Sequence, residues 1–180
     1  MNESLDALLA SIWIELDKAA GDKSHGWRLP VLATRKGEDA DARTVVLREV
    51  DASARELLIY TDARSPKAAQ VRAHPQGTLV HWCSRLNWQL RLRVRLTLET
   101  DGLEVSSRWA RLKLHPAAQD YLSPLPPGSL LGAQALPERG SRGHFALLRA
   151  QVERIDWLGL RPAGHRRALW DDEGPRWLTP

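Results

Sequence analysis

Residues 90–98 read Leu-Arg-Leu-Arg-Val-Arg-Leu-Thr-Leu. The alternation is strict, and only an extended strand sends successive side chains to opposite faces. Leu90, Leu92, Val94, Leu96 and Leu98 therefore form a buried face, and Arg91, Arg93, Arg95 and Thr97 form the other. Three arginines in one row repel one another, so bulk water, a facing subunit or a ligand must answer them.

Working outward, the pattern stays with strands. Trp27–Thr34, Arg43–Val50, Leu57–Thr61 and Thr78–Cys83 read as strands before this one, and Phe145–Trp157 and His165–Trp170 as closing strands after it. Residues 4–20 form an amphipathic helix, capped by Ser4 and stopped at Gly21. Pro66–Ala73 and Leu103–Leu114 are shorter helices, the first with Ser65 as cap and proline at its first position. Residues 123–143 hold four prolines and four glycines and read as a long loop. Short strands with tight connections imply a mainly β (α+β) chain, an antiparallel barrel with flanking helices, in one domain over residues 1–180.

Composition narrows the class. The chain has 180 residues, 43% hydrophobic and 27% charged, with a net charge of +4. One cysteine, Cys83, excludes an internal disulfide. The start is acidic without a basic prelude, and no apolar run reaches membrane-spanning length, so a cytoplasmic protein without a membrane partner is expected. The dinucleotide, P-loop and nucleophile-elbow motifs are missing. The six histidines lack metal-ligand spacing, so no metal is expected. Nucleic-acid binding through the arginine row is disfavoured, because acids nearly balance bases (22 against 26) and no aromatic interleaves the row.

What remains is basic and aromatic. Arg43 and Arg48 bracket an apolar strand, Tyr60 and Thr61 end the next, and Arg64, Ser65 and Lys67 surround a helix start. A helix start with a hydroxyl and a lysine suits a phosphate dianion. The same residues also describe a capped surface helix with solvated charges. Most of the eight tryptophans suit the core or a subunit contact.

The stretch RTVVLREVD…LLIYTDARSPKAAQVRAHP…WQLRLRV, residues 43–94, resembles the flavin-binding core of the pyridoxamine 5'-phosphate oxidase family, with four blocks in order. A further resemblance runs through residues 121–133 and 157–167. The resemblance implies a six-stranded split barrel with FMN at the interface of a homodimer. It assigns Arg43, Val46, Arg48, Tyr60, Thr61, Ser65, Lys67, Gln89, Trp157 and Arg167 to the cofactor. Arg48, Tyr121, Ser129 and His165 would border a small-molecule substrate.

The chain departs from the oxidase pattern at the substrate. The family's phosphate-binding arginine is replaced by Leu125, and the first arginine of its R-x-H-x-R segment by Ala163. Each lost charged hydrogen bond costs ~1.5–3 kcal/mol of binding. The resemblance therefore implies an FMN-dependent oxidoreductase of unknown substrate. Genuine pyridoxamine 5'-phosphate oxidation and a non-catalytic flavin-binding module are the alternatives.

Overall fold

The computed structural model describes residues 4–130 and 142–180. Helix α1, Leu5–Gly21, is capped by the Ser4 hydroxyl, which accepts from the Ala7 N–H at 3.1 Å. It buries Leu8, Ile12 and Leu16 in the main core. The strands are β1 (Val31–Lys36), β2 (Asp39–Thr44), β3 (Leu47–Asp51), β4 (Glu56–Asp62), β5 (Gln76–Cys83), β6 (Trp88–Glu99), β7 (Phe145–Gly159), β8 (Arg166–Trp170) and β9 (Arg176–Leu178). Helix α2 spans Pro66–Ala73 and α3 spans Gly102–Leu112.

All ladders are antiparallel, running β2-β1-β5-β6-β7-β4-β3, and the ends of this path, β2 and β3, share no ladder. Strand β7 pairs β6 along its length. Its other edge pairs β4 over residues 145–151 and β8 over residues 155–159. The split, antiparallel plan is the one expected, with nine strands among the described residues in place of six.

Most boundaries shift by one or two residues, α3 ending at Leu112 and β7 running on to Gly159, and three departures are larger. The expected strand Trp27–Thr34 begins as a 3₁₀ turn, Gly26–Arg28, where Trp27 is buried, and β1 starts only at Val31. The apolar run Arg43–Val50 is two strands, because the chain turns at Val45, whose N–H donates to the Pro30 carbonyl at 2.9 Å. Strand β9 follows a proline and is three residues long, too short for periodicity to reveal. Of the expected 123–143 loop, residues 131–141 lie outside the described residues.

The β3-β4-β7 sheet is covered on both faces. Leu57 and Ile59 of β4 enter the main core with α1, while Leu58 joins a second cluster with Val105, Trp109, Leu112, Tyr121, Phe145 and Leu147. Period two thus sends Thr61 to one side of β4 and Tyr60 to the other.

Candidate functional site

The arginine row finds acids. Arg91 pairs with Asp156 of β7, and Arg95 with Glu153 at 2.9 Å. Arg167 of β8 forks onto the same Asp156, at 3.0 and 2.8 Å. Burial alone would raise the Asp156 pKa, but the hydrogen bonds from Arg167 and Arg91 outweigh it and hold it low. Arg93 faces Arg154 across the ladder, and neither has an ion pair among the described residues. Arg93 is exposed, so water can solvate it.

The sequence-expected cofactor residues fall into three groups. The first surrounds the start of α2. Thr61 and Ser65 are both buried, and their hydroxyls stand 3.3 Å apart. Ser65 occupies the cap position, yet its hydroxyl does not cap the helix; it turns to Thr61 instead. Lys67 is half-buried and has no hydrogen bond or ion pair among the described residues. Burial, and then the nearby Arg43 guanidinium, lower its pKa. Arg43 is braced by the Thr34 hydroxyl, by Gln70 Oε1 at 2.8 Å and by Asp41 at 2.7 Å. Gln70 in turn donates to Asp41 at 2.7 Å, so one glutamine orients both.

Thr34, Asp41 and Gln70 were not expected to matter. Only Gln70 carried a local signal, since it lies three residues after Lys67 and so on the same side of α2. Two cations and two hydroxyls at one helix start fit a phosphate dianion.

The second group centres on Arg48 of β3. Its guanidinium carbon lies 5.3 Å from the centre of the Tyr60 ring. Tyr60 donates its hydroxyl to Glu49 at 3.0 Å, and burial followed by the Glu49 charge pushes its pKa up to about 12. Burial also raises the Tyr121 pKa, and Arg48, close to that hydroxyl, pulls the other way. Phe145 holds both tyrosines edge-on, at 5.2 and 5.3 Å between ring centres. Phe145 and Glu49 carried no sequence signal, because their contacts span the whole fold.

The third group lies at the β6–β7–β8 end. Gln89, Leu158 and Arg167 share one cross-strand row with Trp82, so they face the same side. Trp157 faces the opposite side: it is fully buried and packs edge-on against Trp88 at 5.3 Å. Val46 sits half-buried at the corner between β2 and β3. Ser129 and His165 are exposed in loops, and neither hydrogen-bonds to Arg48 or Tyr121 among the described residues. His165 Nδ1 accepts from the Arg161 N–H at 3.3 Å.

A loop links the first two groups. Arg64 clasps the buried Asp62 and also donates to the carbonyls of Ser123 and Pro124, at 2.8 and 3.0 Å. The segment after Tyr121 is thereby tied to the start of α2.

Known proteins resemble the chain in sequence and in fold. Residues 10–100, half of the chain, match the model of the pyridoxamine 5'-phosphate oxidase FMN-binding domain. A pyridoxine/pyridoxamine 5'-phosphate oxidase of Synechocystis is 30% identical over 74% of this chain, and the chain spans 61% of that relative's length. A pyridoxamine 5'-phosphate oxidase-related, FMN-binding protein of Nostoc punctiforme superposes with a TM-score of 0.73 at 22% identity, covering 100% of both chains. PhzG from Burkholderia lata, solved with tetrahydrophenazine-1-carboxylic acid, gives 0.77 at 14% identity over 97% of this chain and 92% of its own. A heme-binding protein of Mycobacterium smegmatis gives 0.52 at 14% identity over 92% of this chain and 57% of its own. At such identities the structural likeness is one of fold alone. On the strength of the domain match, the chain belongs to the pyridoxamine 5'-phosphate oxidase FMN-binding family.

Proposed function

We propose that the chain binds FMN between two copies of itself and acts as an FMN-dependent oxidoreductase on a small molecule. One observation carries this reading. Lys67 is a half-buried cation with no ion pair among the described residues, since nearby Asp62 is clasped by Arg64, and it is set beside a braced Arg43 and two buried hydroxyls. A cation desolvated in this way costs free energy unless an anion joins it.

In this reading Lys67 and Arg43 hold the phosphate, with Thr61 and Ser65 beside them. The Gln89 amide offers a hydrogen bond to the ring, Arg167 offers the guanidinium nitrogen not committed to Asp156, and Val46 offers apolar contact. Trp157 supports the Gln89–Arg167 row from beneath. When bound, FMN supplies the hydride chemistry, and the protein supplies orientation. Arg48, Tyr60 and Tyr121 border the substrate, and His165 and Ser129 would reach it from the loops. The homodimer is supported by the outer face of β1 and β5, where Val31 (40% exposed) and Trp82 (45%) share a side with Gln89.

The visible absorption of purified protein tests the cofactor, and sedimentation tests the dimer. A yellow dimer with one flavin per subunit is expected. Colourless protein that takes up no FMN at micromolar concentration overturns the reading.

Oxidation of pyridoxamine 5'-phosphate itself is a second reading, favoured by the Synechocystis relative. Turnover of that compound above background distinguishes it from the first.

A further inference from the structure

Arg43 differs from Lys67, its neighbour at the start of α2, because both of its terminal nitrogens are already engaged. Nη1 donates to the Leu32 carbonyl at 3.2 Å and to the Thr34 hydroxyl. Nη2 donates to Gln70 Oε1 at 2.8 Å and meets Asp41 Oδ2 at 2.7 Å. Among the described residues Nε makes no hydrogen bond. A guanidinium grips a phosphate with a fork of two donors. To present that fork, Arg43 must release a partner.

The four partners are not equally easy to release. Thr34 and Gln70 are buried, and the Leu32 carbonyl belongs to the backbone of β1. Asp41 lies on β2, at one end of the ladder path, and its side chain is 37% exposed. Water can solvate this carboxylate when it turns away, whereas the buried groups would be left unpaired. The Asp41 backbone keeps its place opposite Thr34 in the ladder wherever the carboxylate points. The hydrogen bond from Gln70, helped by the Arg43 charge, holds the Asp41 carboxyl below the usual carboxylate range, so it is an anion at neutral pH.

Charge points the same way. With Asp41 in place, Lys67, Arg43 and Asp41 carry one net positive charge, since Asp62 is held by Arg64. With Asp41 turned outward, two positive charges face a phosphate that carries nearly two negative ones.

We infer that Asp41 stands in for the flavin phosphate: its carboxylate occupies Arg43 until the phosphate displaces it. This deepens the flavin reading and rests on it. Asp41 then acts in two opposite ways. It keeps Arg43 oriented beside Gln70 before the flavin arrives, and it competes with the phosphate when the flavin binds. Asp41→Asn separates the two, because the asparagine carbonyl still accepts from Gln70 while the competing charge is gone.

The test titrates FMN and riboflavin into flavin-free protein and follows quenching of flavin fluorescence. Asp41→Asn is expected to bind FMN about tenfold tighter than its parent, and riboflavin no differently, because riboflavin has no phosphate to compete. Weaker or unchanged FMN binding overturns the inference and leaves Asp41 as a brace. An equal gain for riboflavin overturns it as well. In the unmodified protein, the carboxyl carbon resonance of Asp41 should titrate at higher pH once FMN is bound, and an unmoved titration also overturns it. If the protein takes up no FMN, the flavin reading fails separately. Calorimetry with inorganic phosphate then compares Asp41→Asn with its parent, and phosphate bound no tighter by the variant overturns the inference on its own.

Discussion

The outer face of β6–β7–β8 and the α2–β3 side carry similar cations in opposite circumstances. On the first, a half-buried arginine, Arg167, has an acid one strand away, and Asp156 serves both it and Arg91. On the second, Lys67 and Arg48 are half-buried and have no ion pair among the described residues; Asp62, the carboxylate near Lys67, is clasped by Arg64. Where a cation is answered within the chain, it holds strands together. Where it is desolvated and unanswered, folding has been charged a cost that only binding can offset. Exposure decides which unanswered cations carry this meaning: Arg93 is unpaired but exposed, and tells nothing of a ligand.

The contrast can be tested first at an acid with a surplus of cations. Glu15 is buried, which alone would raise its pKa, but hydrogen bonds from Lys18, His25 and Arg85 bring it from 4.5 down to about 2. Its folded pKa lies below the unfolded one, so the stabilisation is present above pH 4.5 and lost as pH falls toward 2. A shift of this size corresponds to about 3 kcal/mol. Urea titrations across that range should show this loss, and Glu15→Gln should remove it, at a similar cost near neutrality. Asp156→Asn comes next. It strands two partly exposed arginines and should cost about 2 kcal/mol in chemical denaturation, less than for a fully buried pair.

The sign should reverse at Lys67. Lys67→Met is expected to stabilise the flavin-free protein by about 1 kcal/mol while weakening FMN binding by a factor of about 10 to 100. Because the folded Lys67 pKa is lowered, the penalty is complete at low pH and is relieved as pH rises toward 10.5, so flavin-free protein gains stability there. Lys67→Met should lose that gain. A Lys67→Met protein less stable than its parent at neutral pH would break the contrast. Arg93→Gln should give the smallest change, a gain of about 0.3 kcal/mol in melting experiments from relief of the Arg93–Arg154 pair.

The same contrast explains what the sequence disclosed. Strand β6 was legible because five apolar residues alternate with arginines, and α2 because proline and serine mark its start. The division of 43–50 into two strands was hidden, because Val45 is apolar whether it continues a strand or turns toward Pro30. At the site, Arg43, Ser65 and Lys67 were readable as a basic helix start. Their bracing by Thr34, Asp41 and Gln70 was not, because it depends on β1, β2 and α2 meeting. Trp157 was grouped with Arg167 although a β-strand sends residues of opposite parity to opposite faces. Arg167 and Asp156 meet through the β7–β8 register, which no spacing along the chain reveals.

Strand β7 has its own consequence for motion. Flanked by β6 throughout and by β4 and then β8 on its other edge, it should retain amide protons longest in hydrogen–deuterium exchange. The β8–β9 hairpin hangs from its last third alone, with β9 as a free rim. Fraying the whole hairpin would also draw Ala168 and Trp170 out of the main core, so β8 is anchored and loosening is confined to β9. That rim lies at the opposite end of the sheet from β4, and its motion leaves the ladder beside Thr61 and α2 intact.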